Sequence, residues 1–256
     1  MFALKSDLSH LAGLDPAALA LTESGPHWVG RPADAALTTR KVWGERCSGT
    51  NFAGALLHRN IDALKTKGGQ WQWKHALAKI NDRDPSRLNL FIVRDPFTWA
   101  QSFYRNPWHL PVRLRNRPFA DFIRQEWVGV FYDQDKYTPE RPADRHPVER
   151  RRFRNIWEMR TVKLRHALMA ASRLPNGVVV RYEEVSTDPE GFVALIADRF
   201  STGRKTPFQP IEDYKGEAKR SYEAQTTQPM DPDDRAYILG QLDTTLESFL
   251  GYLPPD

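Results

Sequence analysis

The sequence predicts an α/β fold of three layers, α/β/α, with a central and mostly parallel β-sheet between helices. Apolar strand-like runs alternate with amphipathic helical patterns along the chain. The run Leu88 to Val93 is nearly all apolar, as expected of a parallel strand covered on both faces, and Val178 to Tyr182 supplies a further buried strand. With 256 residues, of which 40% are hydrophobic, the chain is long enough for one sizeable core. We therefore expect a single domain over residues 1–256.

The elements follow from local patterns. Residues 1–35 are weakly helical and are expected to pack outside the sheet, whose first strand is predicted at Ala36 to Trp43. From Thr50, apolar side chains at helical spacing predict an amphipathic helix. Gly69 to His75 predicts a short aromatic strand. Asp-Pro pairs, which supply the N-cap and first residue of a helix, predict helix starts at Asp95-Pro96, Asp188-Pro189 and Asp231-Pro232, the last helix running through Leu250.

The loop between the first strand and its helix is bracketed by Gly44 and Gly49. Glycine permits torsions that let successive N–H groups converge on one anion. The spacing matches the first half of a Walker A loop, but Thr50-Asn51 stand where a kinase has Lys-Ser/Thr. The loop is predicted to bind a phosphate-like group without the usual residues for metal-assisted phosphoryl transfer. The alternative, that the glycines only serve a strand-to-helix turn, stays open.

A second anion site is predicted at the end of the next strand. Arg94 follows the buried run, and Ser102, eight residues later, lies about two turns into the following helix. Ligands of open α/β sheets bind outside the carboxyl ends of strands, so a guanidinium and a hydroxyl there can hold a phosphate. The alternative is a structural ion pair of Arg94 with Asp95 or another acid.

Composition sets few further limits. Lys and Arg exceed Asp and Glu by 37 to 32, which suits a phosphate-rich ligand or an anionic acceptor and does not by itself indicate nucleic acid. Cys47 is the only cysteine, so no internal disulfide exists. The sequence has no secretory signal pattern and no apolar run of eighteen or more residues, so we expect no integral membrane segment and a cytoplasmic protein.

Three stretches, in this order, resemble the sulfotransferases that use 3′-phosphoadenosine-5′-phosphosulfate. Cys47-Ser-Gly-Thr-Asn-Phe52 is similar to the family's Lys-Ser-Gly-Thr-Thr-Trp loop, which grips the 5′-phosphosulfate. Arg94-Asp-Pro with Ser102 resembles its 3′-phosphate site. Tyr182-Glu-Glu with Asp188-Pro189 resembles a strand-end element whose tyrosine lies near the adenine. The matched elements cover roughly residues 40–104 and 176–200.

The resemblance implies a P-loop-like sulfotransferase fold and transfer of a sulfuryl group to a hydroxyl or amine, with adenosine 3′,5′-bisphosphate as product and no metal required. The partners it implies are the small-molecule nucleotide donor and the acceptor, with no nucleic acid. The donor site that it implies consists of Arg46, Cys47, Ser48, Gly49, Thr50, Asn51, Phe52, Arg94, Ser102, Tyr182, Lys215 and Gly216.

The chain departs from the family at the chemistry. Cys47 stands where many members have the loop lysine, so Arg46 or Lys74 must neutralise charge on the bridging oxygen, and we favour Arg46. Phe52 replaces the adenine-stacking Trp and still offers a π-face. His75 is the predicted catalytic base, since histidine titrates near neutrality, and His109 is the reserve candidate.

The segment 105–154 is rich in Arg, Pro and aromatic residues and is predicted to be an insertion that binds the acceptor. Trp108, His109 and Arg160 are predicted substrate-binding residues. Such a composition suits a carbohydrate or an anionic glycolipid as readily as a phenol, so the acceptor stays open, as does the oligomeric state.

Two other functions stay open. A P-loop kinase acting on a small molecule or nucleotide would have the same fold, although the residues at 50 and 51 speak against it. A non-catalytic nucleotide-binding or nucleic-acid-binding module is supported by the excess of basic over acidic residues, although no nucleic-acid motif is recognisable.

Overall fold

The computed structural model of the chain describes residues 9–24, 27–62, 64–66, 72–131, 138–212 and 228–254. The chain forms two compact units, each assembled from separate segments. We call Leu19–Asp95 with Ala167–Thr226 the sheet unit, and Met1–Ala18, Pro96–His166 and Thr227–Asp256 the helical unit. Since neither unit is one continuous segment, this division does not test the expectation of a single domain, which stays a prediction.

The sheet unit contains one mixed sheet. In chain order its strands are β1 (Thr22–Ser24), β2 (His27–Val29), β3 (Thr39–Trp43), β4 (Lys65–Thr66), β5 (Arg87–Val93) and β6 (Gly177–Arg181). Their order across the sheet is β1-β2-β6-β5-β3-β4. β6, β5, β3 and β4 are parallel neighbours, whereas β1 and β2 are joined antiparallel at one edge. The predicted α/β class with a mostly parallel central sheet is confirmed.

Helices cover both faces of the sheet. On one face, α1 (Thr50–Asn60) and α6 (Pro189–Arg199) bury apolar side chains against Leu90 and Val178. On the other, the end of α4 (Ile156–Arg173) approaches β6 so closely that a Cβ on Gly177 would lie 2.0 Å from the carbonyl oxygen of Ala171. Every residue of β5 is buried, which explains why the run Leu88 to Val93 is nearly all apolar.

The sheet edge corrects one expectation. Residues 1–35 were expected to be helical and the first strand to begin at Ala36, but β1 and β2 precede β3, which begins at Thr39. β2 pairs with Val178 to Val180 of β6, and its Trp28 and Val29 are buried. A strand of three residues is too short to show a periodic pattern in the sequence. Its stability depends on a pairing partner far along the chain, which no local pattern reveals.

Three further boundaries differ from expectation. Residues 72–75, the described end of the aromatic segment predicted as a strand, form no strand and contain a turn at Lys74 and His75, and residues 69–71 lie outside the described residues. Tyr182 begins the short helix α5 (Tyr182–Thr187) instead of ending β6. The last predicted helix is two, α7 (Pro232–Gln241) and α8 (Thr244–Phe249), because Asp243 accepts a hydrogen bond from the N–H of Leu246 and starts a new helix.

The helical unit contains α2 (Pro96–Arg105), α3 (Phe119–Arg124), the first part of α4, α7 and α8. Aromatic rings fill its core, with centroids 5.8 Å apart for Trp99 and Trp157 and 5.1 Å apart for Phe103 and Trp127. The described part of the predicted insertion, residues 105–131 and 138–154, belongs to this unit. Among the described helices, none combines the length and apolarity that spanning a membrane requires.

Candidate functional site

The loop after β3 has the conformation that its glycines predicted. Gly49 has φ 98°, in the left-handed region, and a Cβ there would lie 2.4 Å from the ring of Tyr182. At Gly44 a Cβ would lie 2.6 Å from the carbonyl oxygen of Ile92 on the neighbouring strand. Cys47 also adopts a positive φ, 62°, which is uncommon for a residue with a side chain. Both glycines are therefore required by close packing as well as by torsion.

The N-terminus of α1 opens onto this loop. Gly49 is the N-cap residue and makes no side-chain capping hydrogen bond, since it has no side chain. The N–H groups of Thr50, Asn51 and Phe52 are in the first turn, where an α-helix provides no acceptor of its own. Because the helix dipole also favours negative charge there, this end of α1 can accept a phosphate or sulfate oxygen.

Glu45 organises the loop, and sequence reasoning missed it. Its Oε1 accepts hydrogen bonds from the backbone N–H and from Nη1 of Arg46, both at 2.7 Å. Its carbonyl oxygen accepts from the Ser48 hydroxyl at 2.6 Å and from the Ser48 N–H at 3.2 Å. The sequence signal was an acidic residue directly after the first glycine of an anion-binding loop, where a carboxylate is unfavourable unless it has a partner.

Arg94 follows the end of β5 and reaches this loop. Its Nη1 donates a hydrogen bond of 3.0 Å to the carbonyl oxygen of Cys47. Its guanidinium lies 4.5 Å above the ring centroid of Tyr182, which follows β6. The Glu183 carboxylate accepts from the N–H of Asp95 at 3.0 Å, which fixes the backbone beside Arg94. The carboxyl ends of three parallel strands therefore meet at Arg94, as the topology predicted for β3 and β5.

Phe52 and Tyr182, predicted to contact adenine, are in contact with each other. Their rings meet edge to face with centroids 6.3 Å apart. Tyr182 also packs on Gly49, so its ring lies between the start of α1 and the guanidinium of Arg94. The two aromatic residues thus border the same loop end.

The structure separates the two candidates for the missing loop lysine. Arg46 is 1% exposed, forms an ion pair of 2.7 Å with Glu45 and lies 4.7 Å over the ring of Trp73. The ammonium of Lys74 donates a hydrogen bond to Oδ1 of Asn51 in the first turn of α1. The charge of Arg46 is compensated inside the protein, whereas that of Lys74 is placed beside the helix terminus. Which of the two cations acts on the bridging oxygen stays a prediction.

His75 is buried next to the loop. A hydrogen bond of 2.6 Å joins its Nδ1 to the carbonyl oxygen of Gly44, and its ring meets Trp73 at 5.2 Å between centroids. A carbonyl oxygen only accepts, so Nδ1 carries the proton. In the neutral ring Nε2 is then the basic nitrogen, as a general base requires.

The turn that carries Lys74 and His75 is fastened to β3 and its loop. The Gly44 N–H donates to the carbonyl oxygen of Lys74 at 3.1 Å, and the ammonium of Lys41 donates to the carbonyl oxygen of Gln72. Burial, followed by the charge of Arg87, lowers the pKa of Lys41. These contacts hold the catalytic candidates at fixed positions relative to the phosphate loop.

The roles of the other predicted donor residues stay predictions. Ser102 is half-buried on α2 in the helical unit, and its role at the 3′-phosphate stays a prediction. Lys215 and Gly216 lie outside the described residues.

The predicted acceptor residues lie in the helical unit. Trp108 is exposed, and His109 is half-buried with φ 64°. Arg160 is buried, and its guanidinium binds both carboxylate oxygens of Glu247, at 2.6 and 2.8 Å. Their contacts with an acceptor stay predictions.

Comparisons with known proteins add little to these observations. No protein-family model matches the chain, and no curated protein sequence matches it. A solved structure that the chain matches is a sulfotransferase from Alicyclobacillus acidocaldarius, 16% identical, with 85% of this chain and 96% of that chain covered and a TM-score of 0.43. A likeness at this level does not assign a function.

Proposed function

We propose that the protein is a sulfotransferase that moves a sulfuryl group from 3′-phosphoadenosine-5′-phosphosulfate to a hydroxyl or amine of its acceptor. The observation that carries the proposal is the junction at the strand ends. There the uncapped N-terminus of α1 and the guanidinium of Arg94 are joined through the carbonyl oxygen of Cys47. A nucleotide with phosphate at both its 3′ and 5′ positions needs two neighbouring anion sites, and this junction supplies an amide site and a cation together.

The residues of the loop suit the donor. The N–H groups of Thr50, Asn51 and Phe52 bind the oxygens of the 5′-phosphosulfate, while Arg94 binds the 3′-phosphate. Phe52 and Tyr182 provide aromatic surfaces for adenine beside these groups. Glycine at position 49 is required because Tyr182 leaves no room for a side chain.

The reaction is an in-line displacement at sulfur. Nε2 of His75 takes the proton from the acceptor hydroxyl, and the acceptor oxygen forms a bond to sulfur. The bond from sulfur to the bridging oxygen of the donor breaks, and adenosine 3′,5′-bisphosphate leaves with that oxygen. Lys74, positioned by Asn51, stabilises the charge that develops on the bridging oxygen. These roles need no metal ion in principle, because cationic side chains and N–H groups supply the positive charge.

The class of acceptor is inferred from the amino-acid composition of the insertion. The insertion 105–154 carries exposed aromatic and arginine side chains, which suit a carbohydrate or glycolipid. Trp108 and His109 are the residues that we assign to acceptor binding.

Thermal unfolding tests the donor site. A ligand at about 100 times its Kd stabilises the folded state by about 2.7 kcal/mol, a rise of roughly 5–10 °C for a chain of this size. We expect this rise with adenosine 3′,5′-bisphosphate in the presence of a chelator, and a smaller one with adenosine 5′-monophosphate, which lacks the 3′-phosphate. A rise with ATP that requires Mg²⁺, with no response to the bisphosphate, would replace the proposal by a kinase. Transfer of labelled sulfate to a panel of hydroxyl and amine acceptors then tests the reaction itself.

A further inference from the structure

Two groups of arginines in the insertion have different surroundings. Those of residues 140–158 are largely neutralised by neighbouring carboxylates, in the pairs Arg145–Glu140, Arg151–Glu158, Arg152–Glu126, Arg152–Glu140 and Arg154–Glu158. Residues 105–117 contain four arginines and no acidic residue. Within the described part of the chain, the side chains of Arg105, Arg113 and Arg117 are exposed and form no ion pair. Their positive charge therefore faces solvent.

Residues 105–117, which we call the arginine loop, form a closed surface loop. The hydroxyl of Tyr104 donates a hydrogen bond of 3.0 Å to the carbonyl oxygen of Arg117, which joins its two ends. Arg115 donates from Nε to the carbonyl oxygen of Leu110 at 3.0 Å and braces it internally. Leu110 and Leu114 are buried and anchor the loop to the helical unit. The loop is thus a defined shape with one anchored side.

The other side of the arginine loop exposes apolar side chains. Trp108 is 41% exposed and Val112 is 47% exposed, and they alternate along the loop with the buried Leu110 and Leu114. An exposed tryptophan and an exposed valine among guanidinium groups give the loop affinity both for anions and for apolar surfaces. Guanidinium groups bind phosphate oxygens, and Trp and Val are favourable where hydrocarbon meets headgroups. A sulfated sugar chain or a nucleic acid would match the charge but would gain little from Val112.

We propose that the arginine loop docks the protein on a bilayer surface that carries anionic phospholipid headgroups. Arg105, Arg113 and Arg117 bind the headgroup phosphates, and Trp108 and Val112 enter the interface between headgroups and acyl chains. The chain's formal net charge of +5 adds long-range attraction to such a surface. This inference does not rest on the proposed sulfuryl transfer, since none of its residues belongs to the donor site, although it shares Trp108 with the proposed acceptor site.

Co-sedimentation of the full chain with vesicles tests the docking. We expect binding to vesicles of phosphatidylcholine with roughly one part in three phosphatidylserine, weaker binding at higher salt, and little binding to phosphatidylcholine alone. The triple variant Arg105→Ser/Arg113→Ser/Arg117→Ser should lower the partition coefficient on the order of 100-fold, since each arginine near the surface contributes about fivefold. Val112→Ser should also lower the partition coefficient, and its effect should be largest at high salt, where the apolar contribution to binding dominates.

The matched control is Arg31→Ser/Arg83→Ser/Arg199→Ser, which removes the same charge from exposed arginines of the sheet unit. We expect it to change vesicle binding less than about fivefold. Equal losses in the two triple variants would overturn the proposal, because only net charge would then matter. Binding of a sulfated polysaccharide or an oligonucleotide that depends on the same arginines, without vesicle binding, would overturn it in favour of that polyanion. A normal thermal response to adenosine 3′,5′-bisphosphate in each variant separates a failure here from a failure of the proposed function.

Discussion

Arg94 donates a hydrogen bond of 3.0 Å from Nη1 to the carbonyl oxygen of Cys47, so the residue after β5 is tied directly to the loop after β3. The bond uses one edge of a guanidinium whose face lies on Tyr182. One arginine therefore connects the ends of all three central parallel strands. In the proposed enzyme, the group that binds the 3′-phosphate also positions the loop that binds the 5′-phosphosulfate.

Substitution of Arg94 should weaken the binding of both phosphate groups of the donor. We expect Arg94→Ala to lower the affinity for adenosine 3′,5′-bisphosphate about 10- to 100-fold, as for loss of charge-assisted hydrogen bonds. The affinity for adenosine 5′-monophosphate should also fall, because the Cys47 carbonyl loses its donor. Arg94→Lys keeps the charge without the planar fork, so it should recover only part of the loss. Isothermal titration calorimetry measures each constant, and wild-type affinities in both variants would disprove the assignment.

Lys74 should matter for turnover more than for binding. We expect Lys74→Met to lower kcat about 100-fold with a donor Kd within about threefold of wild type, because its charge acts on the leaving oxygen. Asn51→Ala should show a smaller effect in the same direction, since it removes the side chain that holds the ammonium. Lys79→Met is the control, an exposed lysine close by in the sequence. Unchanged kcat in Lys74→Met would return the role to Arg46.

His75 should act through its free-base form. We expect His75→Ala to lower kcat about 100- to 10,000-fold, the usual contribution of general base catalysis, with near-normal affinity for the bisphosphate. His75→Asn can still donate to the Gly44 carbonyl, so it should keep the loop intact without restoring turnover. Turnover near the wild-type rate in His75→Asn would identify another base, with His109 the next residue to test.

The central fold could be predicted because its signals are local. For the buried strand β5 and for the glycine loop before α1, a few neighbouring residues are enough to predict the structure. β2 could not be predicted, since three residues become a strand only through pairing with β6, about 150 residues away. The split between α7 and α8 arises because Asp243 caps a new helix. The helical spacing of apolar residues continues across Asp243, so the sequence gives no sign of the split.

The sequence indicates which residues of the loop lie close together, but not how their charges pair. Gly44, Gly49, Arg94 and Tyr182 follow strand ends, so topology places them together. The choice between Arg46 and Lys74 depends on Glu45, whose carboxylate folds back on Arg46. Such a pairing between neighbouring residues depends on torsions that no spacing rule reports.

The buried ion pair of Arg160 and Glu247 should stabilise the helical unit. We expect Arg160→Met to lower the free energy of unfolding by about 3–5 kcal/mol, because it leaves a buried carboxylate without a partner. The double variant Arg160→Met/Glu247→Leu should recover most of this loss. Arg145→Met, which removes an exposed pair with Glu140, should cost less than about 1 kcal/mol. Urea denaturation measures these values, and a double variant as unstable as Arg160→Met would contradict the explanation.

Glu158 should make stability depend on pH in the acid range. Burial raises the pKa of this carboxyl, but hydrogen bonds from Arg151 and from the backbone N–H of Arg154 outweigh it and lower the pKa to about 2. A folded pKa below the unfolded value gives stability that is complete above the unfolded pKa of about 4.5 and is lost as the pH falls through about 2. Wild type should therefore exceed Glu158→Gln by on the order of 1 kcal/mol near neutral pH.

This difference should narrow below about pH 4.5 and vanish below about pH 2, where the wild-type carboxyl becomes protonated as well. Glu149→Gln removes a more exposed partner of Arg151 and should change stability much less across the same range. Urea denaturation of the three proteins at successive pH values measures the curves. A Glu158→Gln difference that stays constant down to the acid limit would mean that the substitution acts through packing and not through the charge of the carboxylate.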